Sequence, residues 1–451
     1  MSIITVQIGQ CGNQLGFEFF NVLSQDIRRA ESAECYNGYS QKYCQLSNER
    51  FFTSDSKDGL VASAVLIDTE KKVVGKALVD ACRSNQWHYA KDSCYTHQQG
   101  AGNNWASGYI EHAERGLDSI MELIRRRVER CDWLDGFLPL MSLGGGTGSG
   151  LGTRVTEALS QDYPNTPLVN IVVRPFSSGE VAVQAYNAVL SLSHLQDSSD
   201  ALVVLNNDGL HHVASKRWAV KNASLSHLNV VAAQQLACLL QPSKTAEGLP
   251  TRIGSPCAGD VPVELGCHSQ LRLVTLLQVP QEPPHVAPFS CATWPGLVRS
   301  LHKMRLCRSS TDEGLPLVHT LAVSTSPPHI PAMGAEGRPL RSVAALSVAR
   351  GDGLSSSGAP VPGETLFGTP SPASWTCPRR FLGRGRTLLL ADNHQGCLSF
   401  LEPLLSRAWG RFTEGAFLHH YTRHGLQVED LADAFVRLEQ TLEAYRQLSG
   451  S

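Results

Sequence analysis

Between Gly144 and Gly150 the chain reads GGGTGSG, five glycines around one threonine and one serine. Glycine tolerates positive φ and puts no side chain between backbone and ligand. Successive N–H groups from Gly144, Gly145, Gly146 and Gly148 can therefore converge on one anion, while Thr147 and Ser149 add hydroxyl donors. The flanks sharpen this reading. Gly136 to Leu143 (GFLPLMSL) reads as a short buried strand, and Leu151, Val155 and Leu159 recur at helical spacing until Tyr163-Pro164 ends the run. A helix N-terminus then faces the loop, and its unpaired amides and positive dipole end favour phosphate. A flexible linker is the alternative, but linkers seldom join a strand to an uninterrupted amphipathic helix.

Two further glycine turns have the same setting. Gly9-Gln10-Cys11-Gly12-Asn13-Gln14 opens a helix with Leu15, Phe19 and Val22 on one face. Gln10 and Cys11 could offer side chain and backbone N–H to a diphosphate, and Gln14 could reach sugar or base. A glycine pair at such a turn also serves packing alone. Gly100-Ala101-Gly102-Asn103-Asn104-Trp105 runs into a helix carrying Leu117, Ile120, Ile124 and Val128. The amides of Ala101, Gly102 and Asn103 could close on a terminal phosphate and let go when it is lost. Asp68-Thr69-Glu70 ends a strand. Beside a triphosphate, Asp68 and Glu70 suit magnesium, bound directly or through its waters, and otherwise they are solvated turn residues. The amides of Asn207 and Asn229 carry both hydrogen-bond polarities and could match a purine edge, or could simply be caps or turns. Arg125-Arg126-Arg127 reads as the solvated face of its helix.

These turns need a scaffold. The first half alternates apolar runs with helical periodicity, a βαβ rhythm that predicts an α/β fold with a parallel sheet covered on both faces. Strands are expected at Ile3 to Ile8, Ala64 to Ile67, Phe137 to Ser142, Leu168 to Val173 and Ala201 to Leu205, with ligand loops at their C-terminal ends. The polar stretch from Ala30 to Gly59 reads as a long surface loop. From Gln241 to Gly385 prolines break the pattern, in runs such as PQEPPHVAP and STSPPHIPAMG, leaving islands at Leu271 to Val279, Leu297 to Leu306 and Val343 to Arg350. A smaller mixed α/β domain with long loops fits this region, as does partial disorder. A strand at Thr387 to Leu390 precedes two helices. In the last, Val428, Leu431, Phe435, Leu438, Leu442 and Tyr445 form one apolar stripe, expected to lie on its own domain rather than in a coiled coil.

With 451 residues the chain can build two or three domains without disulfide staples. The balance of 39 basic against 41 acidic residues gives no reason to expect nucleic acid or an anionic membrane as main partner. Thirteen cysteines without a CxxC pair fit reduced thiols in the cytoplasm better than a zinc site. The start MSIITVQIGQ lacks a secretory signal's features, and no window reaches the ~18 apolar residues of a membrane helix.

Taken together, GQCGNQLG, IDTE, GAGNNWASGY, GGGTGSGLG and EVAVQAYNAVLSLSHL, in this order and at these separations, resemble the tubulin superfamily over the whole chain. The resemblance implies a Rossmann-like parallel-sheet GTPase domain over residues 1–240, a smaller mixed α/β intermediate domain over 241–385 and C-terminal helices over 386–451. It implies GTP or GDP and Mg2+ as cofactors, with Gln10, Cys11, Glu70, Asn103, Ser142, Gly145, Thr147, Gly148, Asn207 and Asn229 at nucleotide-contact positions. Glu180 matches an acidic position that contacts ribose, though SSGEV is only loosely similar. In the family hydrolysis is completed by a longitudinal neighbour's acidic residue, for which Asp260 in AGDVPVEL is the best match. The resemblance thus implies a slow GTPase completed in trans by a neighbouring subunit.

Several positions depart from the family pattern. Leu225 replaces the usual aromatic ring stacked on guanine, Lys71 replaces a proline, and Pro262 falls in the first turn of the catalytic helix. The Glu-rich tail of common members is missing. The start, the segment SSDALVVLNNDGLHHV and the end after Tyr445 are most similar to the form associated with centrioles and cilia. The expected role is a GTP-binding cytoskeletal protein of centriolar or ciliary microtubules, located in cytoplasm, centrosome and cilium. Other tubulins and centriolar or ciliary proteins would be its partners, and longitudinal self- or hetero-association would depend on nucleotide. The competing role is a non-polymerising GTP-binding adaptor. A dinucleotide-dependent oxidoreductase would share the sheet, but no acid follows GGGTGSG by about 20 residues in a GxGxxG frame.

Overall fold

The apolar runs expected as strands become the parallel half of one sheet in the computed structural model, which describes residues 1–32, 38–55, 59–179, 183–245, 255–283, 286, 292–311, 341–354 and 372–448. The order is β1 (Ser2–Ile8), α1 (Gly9–Glu31), α2 (Gly38–Phe51), β2 (Phe52–Asp55), β3 (Gly59–Ala62), β4 (Ala64–Asp68), α3 (Lys71–Ser84), β5 (Cys94–Thr96) and α4 (Ala113–Val128). Then come β6 (Leu134–Ser142), α5 (Gly152–Asp162), β7 (Val169–Arg174), α6 (Gln184–Ser198), β8 (Ala201–Asn206), α7 (Asn207–His212) and α8 (Leu225–Leu240). Single π turns, Ser107–His112 and Thr147–Leu151, open α4 and α5.

Strands β5, β4, β1, β6, β7 and β8 lie side by side and parallel, which is the doubly wound order 3-2-1-4-5-6. Every residue of β1 and β4 is buried, as a sheet covered on both faces requires. The chain reverses its winding at β1, and the C-terminal ends of β1, β4 and β6 open on the same edge.

The remainder extends this sheet. Its elements are β9 (Lys244–Thr245), α9 (Asp260–Glu264), β10 (Leu273–Val279), α10 (Trp294–Leu306), β11 (Ser342–Gly351), β12 (Ala373–Cys377), β13 (Arg386–His394), α11 (Leu398–Thr413), α12 (His419–Thr422) and α13 (Val428–Gln447). Leu273 of β10 pairs in parallel with Leu202 of β8, and β10 then pairs antiparallel with β13. The three ordered islands of the proline-rich region are thus β10, α10 and β11, and the strand expected at Thr387 to Leu390 lies within β13. Val279, Trp294, Leu297, Val298 and Leu301 form a separate small core beneath them. STSPPHIPAMG lies outside the described residues, as does part of PQEPPHVAP.

The reading of Ala30 to Gly59 as a surface loop is corrected: it contains α2 and the β2–β3 hairpin. The buried positions of α2 include Ser40, Tyr43, Cys44, Ser47 and Phe51, a helical stripe written mostly in polar letters. Its polar atoms find specific partners. Tyr43 donates to Asp26 Oδ2 (2.6 Å), Ser47 to Gln241 Oε1 (2.6 Å) and Arg50 Nη1 to the Leu240 carbonyl (2.8 Å). Satisfying those groups lets a stripe of low hydrophobicity be buried.

The stripe of α13 covers its own fold. Leu431, Phe435, Leu438, Leu442 and Tyr445 are buried while Val428, at its start, stays 38% exposed. Phe435 stacks on Trp409 of α11 with ring centroids 4.5 Å apart, and Tyr445 donates to Asn393 Oδ1 of β13 (2.7 Å).

Candidate functional site

The site is built from helix starts without side-chain caps. Ile8 leads directly into α1, Glu70 into α3, and Gly146 into the π turn Thr147–Leu151, and none of the three supplies a side-chain hydrogen bond to the amides behind it. A helix start leaves its first amides unpaired, and here they surround one concavity. It measures about 380 Å³, and Gln10, Cys11, Gln14, Asp68, Glu70, Ala101, Gly102, Asn103, Ser142, Gly145, Gly146, Thr147, Gly148, Asn207, Leu225 and Asn229 all line it. Three turns separated by many residues in sequence therefore share one cleft at the sheet's reversal point, where doubly wound folds place ligands.

Close backbone contacts make the glycines necessary. Gly9 has φ +72°, and a Cβ there would lie 2.9 Å from the Gly148 nitrogen. A Cβ on Gly146 would come within 2.8 Å of both the Ala101 Cβ and the Ala101 carbonyl. Gly102 and Asn103, with φ +57° and +54°, form consecutive left-handed residues at the tip of the third turn. Gly12 serves packing instead: its Cα faces the Leu140 carbonyl of β6, and it does not line the cleft.

Side chains lock the turns together from behind. Asn13 is fully buried and donates to the carbonyls of Gly9 (2.9 Å) and Ile67 (3.1 Å), joining the start of α1 to the end of β4. The hydroxyls of Thr69 and Thr147 are 2.7 Å apart. Ser149 is not a donor to the cleft. It is fully buried and donates to the Gly145 carbonyl, closing the glycine loop from inside. Gly144 also lies off the cleft, its N–H given to Ser142 Oγ (3.2 Å).

Charge at the site is distinctive. Among the described residues that line the cleft there is no lysine or arginine. A bound polyphosphate would be balanced by amide dipoles, helix ends and any cation the carboxylates hold. Asp68 accepts from the Glu70 N–H through Oδ1 (3.0 Å), while its Oδ2 is buried and has no partner among the described residues. Burial, helped by the Glu70 charge, pushes its carboxyl up to about 6. An orphaned, buried carboxylate oxygen beside an exposed glutamate fits a hydrated cation. Cys11 is inert by comparison, because burial pushes its thiol up to about 12.

At the other end of the cleft, Leu225 begins α8 and is 52% exposed, with Asn229 one turn further along. Asn207 begins α7, whose preceding residue Asn206 accepts from the Asp208 N–H (3.1 Å) and fixes the turn. Two expected residues stand apart. Glu180 lies outside the described residues. Asp260 does not line the cleft: it is the first residue of α9, and its carboxylate accepts from the Cys257 N–H (2.6 Å). Pro262 is third in this one-turn helix, where its missing N–H would have had no intrahelical acceptor. Gly9 and Val73 line the cleft and were not singled out from sequence. Gly9 carried the signal of its turn, whereas an apolar Val73 carries none.

Residues 2–215 match the Tubulin/FtsZ family, GTPase domain. The chain is 38% identical over 463 residues to the tubulin delta chain of Canis lupus familiaris, and 36% over 459 residues to that of Homo sapiens, covering 99% of both chains in each case. It is 33% identical over 231 residues to the tubulin beta-3 chain of Zea mays, which is 50% of each chain.

Proposed function

This chain belongs to the tubulin family, whose GTPase domain binds GTP or GDP, and from that premise we propose that it is a structural component or organiser of centriolar and ciliary microtubules whose longitudinal association depends on the bound nucleotide. The observation that carries the proposal is the single cleft formed where three glycine turns meet at the sheet's reversal point. The similarity to tubulin delta chains over nearly the full length supports the specialised role. We take residues 1–240 as the nucleotide domain, 241–385 as the intermediate domain and 386–451 as the C-terminal helical region.

In this reading Ala101, Gly102 and Asn103 face the γ-phosphate, and Gly145 to Gly148 cradle the phosphate chain. Gln10, Cys11 and Ser142 complete the phosphate contacts, Gln14 lies toward the sugar, and Asn207 and Asn229 recognise the guanine edge. Asp68 and Glu70 would hold Mg2+, the absence of basic side chains among the described residues of the cleft making that cation important to charge balance. Titration with labelled GTP and ATP tests the premise; equal affinity for both, or none for either, removes it. Sedimentation with GTP, alone and with other tubulins, tests assembly. Nucleotide-dependent pelleting supports the structural role, and persistent monomer supports a non-polymerising adaptor.

Leu225 leaves the base without a stacked ring. Leu225→Tyr is expected to tighten GTP binding roughly two- to tenfold, from the ~0.5–1.5 kcal/mol that aromatic stacking adds. Unchanged affinity in the same titration would mean the base lies elsewhere.

Asp260 is the residue this chain would offer to a neighbour's nucleotide. Its Oδ2 accepts from the Cys257 N–H, which fixes the side chain and leaves the other carboxylate oxygen to orient a water in trans. Turnover by the isolated chain should be slow, and partner tubulins should raise it. Asp260→Ala is expected to reduce the partner-stimulated rate roughly 10- to 100-fold, as loss of an orienting group does. A partner-stimulated rate unaffected by the substitution would remove Asp260 from the mechanism.

A further inference from the structure

The segment EVAVQAYNAVLSLSHL contains a buried asparagine that the nucleotide contacts do not use. Asn187 lies on α6, behind the cleft, and is fully buried. Its amide uses all of its hydrogen-bonding capacity. Nδ2 donates to the carbonyls of Asn103 (2.8 Å) and Gly144 (3.0 Å), and Oδ1 accepts from the Trp105 N–H (3.0 Å) and the Tyr421 hydroxyl (2.7 Å). One side chain thus holds the γ-phosphate-facing turn, the glycine loop and the C-terminal helix α12 at once.

The geometry of those bonds bears on the cleft. Because the peptide is planar and trans, fixing the Gly144 carbonyl behind the loop turns the Gly145 N–H of the same peptide to the opposite side, and Gly145 lines the cleft. Fixing the Asn103 carbonyl holds a residue with φ +54° in a conformation that side chains rarely adopt. Helix α12 reinforces the same turn. Asn104 Nδ2 donates to the His420 carbonyl (2.6 Å), and His424 Nδ1 lies 2.8 Å from Glu111 Oε1 on the π turn that follows. Tyr421 is itself buried, with the Val183 carbonyl 3.2 Å from its hydroxyl as an alternative acceptor.

We propose that Asn187 is a positioning residue for triphosphate recognition, pre-setting both phosphate-facing turns, and that Tyr421 ties this setting to α12. This rests on the reading of the cleft as the GTP site. A group that orders the γ-phosphate turn contributes more to GTP affinity than to GDP affinity, whereas a purely structural group affects both alike.

The test is titration of full-length protein with labelled GTP and GDP, alongside thermal unfolding, for wild type, Tyr421→Phe, Asn187→Ala and the double variant. Tyr421→Phe keeps the ring and removes one hydrogen bond, and is expected to lower the GTP-to-GDP affinity ratio roughly three- to tenfold. Asn187→Ala is expected to lower it roughly 10- to 100-fold, and the double variant should resemble Asn187→Ala alone, because both substitutions break one network. Equal loss for both nucleotides, or a wild-type ratio in Tyr421→Phe, overturns the inference. Should Asn187→Ala fail to fold, Tyr421→Phe still decides it. Wild-type protein that binds neither nucleotide overturns the GTP reading itself, an outcome distinct from bound GTP with an unaltered ratio.

Discussion

Gly146→Ala is expected to weaken GTP binding roughly 5- to 150-fold and to destabilise the fold by about 1–3 kcal/mol, the range that forced overpacking costs. The added Cβ would meet the Asn104 nitrogen at 2.7 Å and the Ala101 Cβ and carbonyl at 2.8 Å. These are mostly backbone atoms of the opposing phosphate-facing turn, so no flexible side chain can move aside. Relief requires the two turns to separate, which spoils the convergence of their amides. Gly145→Ala is the matched control. A Cβ there meets nothing within 4 Å, so its effect on stability should stay within about 0.5 kcal/mol. Gly145→Ala should nonetheless weaken GTP binding, because the space it fills lies in the cleft. Denaturant midpoints and nucleotide titrations on both variants check this, and a Gly145→Ala protein with wild-type affinity would place the phosphates away from Gly145.

The contrast between adjacent glycines also marks what the sequence could and could not convey. GGGTGSG announced a phosphate loop, because only glycine permits such close backbone approach between a strand and a helix. It could not tell Gly145, open to the cleft, from Gly146, pressed against Ala101, since that difference depends on a turn more than 40 residues away in sequence. Ser149 shows the same limit. A hydroxyl in a glycine loop reads as a ligand donor, yet the π turn points it back at Gly145.

Strands of the parallel sheet were legible because burial on both faces demands near-continuous apolar runs; the run expected at Ile3 to Ile8 is β1 at Ser2–Ile8, and that at Ala201 to Leu205 is β8 at Ala201–Asn206. Helix α2 was not legible. Its buried face is built from Ser40, Tyr43, Ser47 and Arg50, whose burial is made possible by acceptors near Asp26 and at the end of α8. Asn187 was overlooked for a related reason. Nearly all of α6 is buried, so no amphipathic stripe sets the asparagine apart as inward-facing. Asn187 is moreover one of several buried polar residues of α6, beside Ser191, Ser193 and Gln196, so its type alone did not single it out.

Arg350 was equally hidden, and replacing it is expected to have the largest effect on stability. It closes the apolar run of β11 and is 1% exposed. Its guanidinium donates to the carbonyls of Cys238 (2.8 Å), Pro242 (2.9 Å) and Gln241 (2.5 Å), at the C-terminal end of α8. The last carbonyls of a helix lack intrahelical partners and carry the negative end of its dipole, so a buried cation there satisfies both needs. Arg350→Met retains much of the volume and removes every donor, leaving three buried acceptors unpaired. The expected loss is about 4 kcal/mol, read as a shift of the denaturant midpoint at constant slope. Helix α8 begins at Leu225 and Asn229 in the cleft, but its entry is held separately, with the Ser224 N–H donating to His227 Nδ1 (3.2 Å). GTP affinity of the folded fraction should therefore change much less than stability. If affinity instead collapses while the midpoint barely moves, Arg350 acts through the position of α8 rather than by satisfying its last carbonyls.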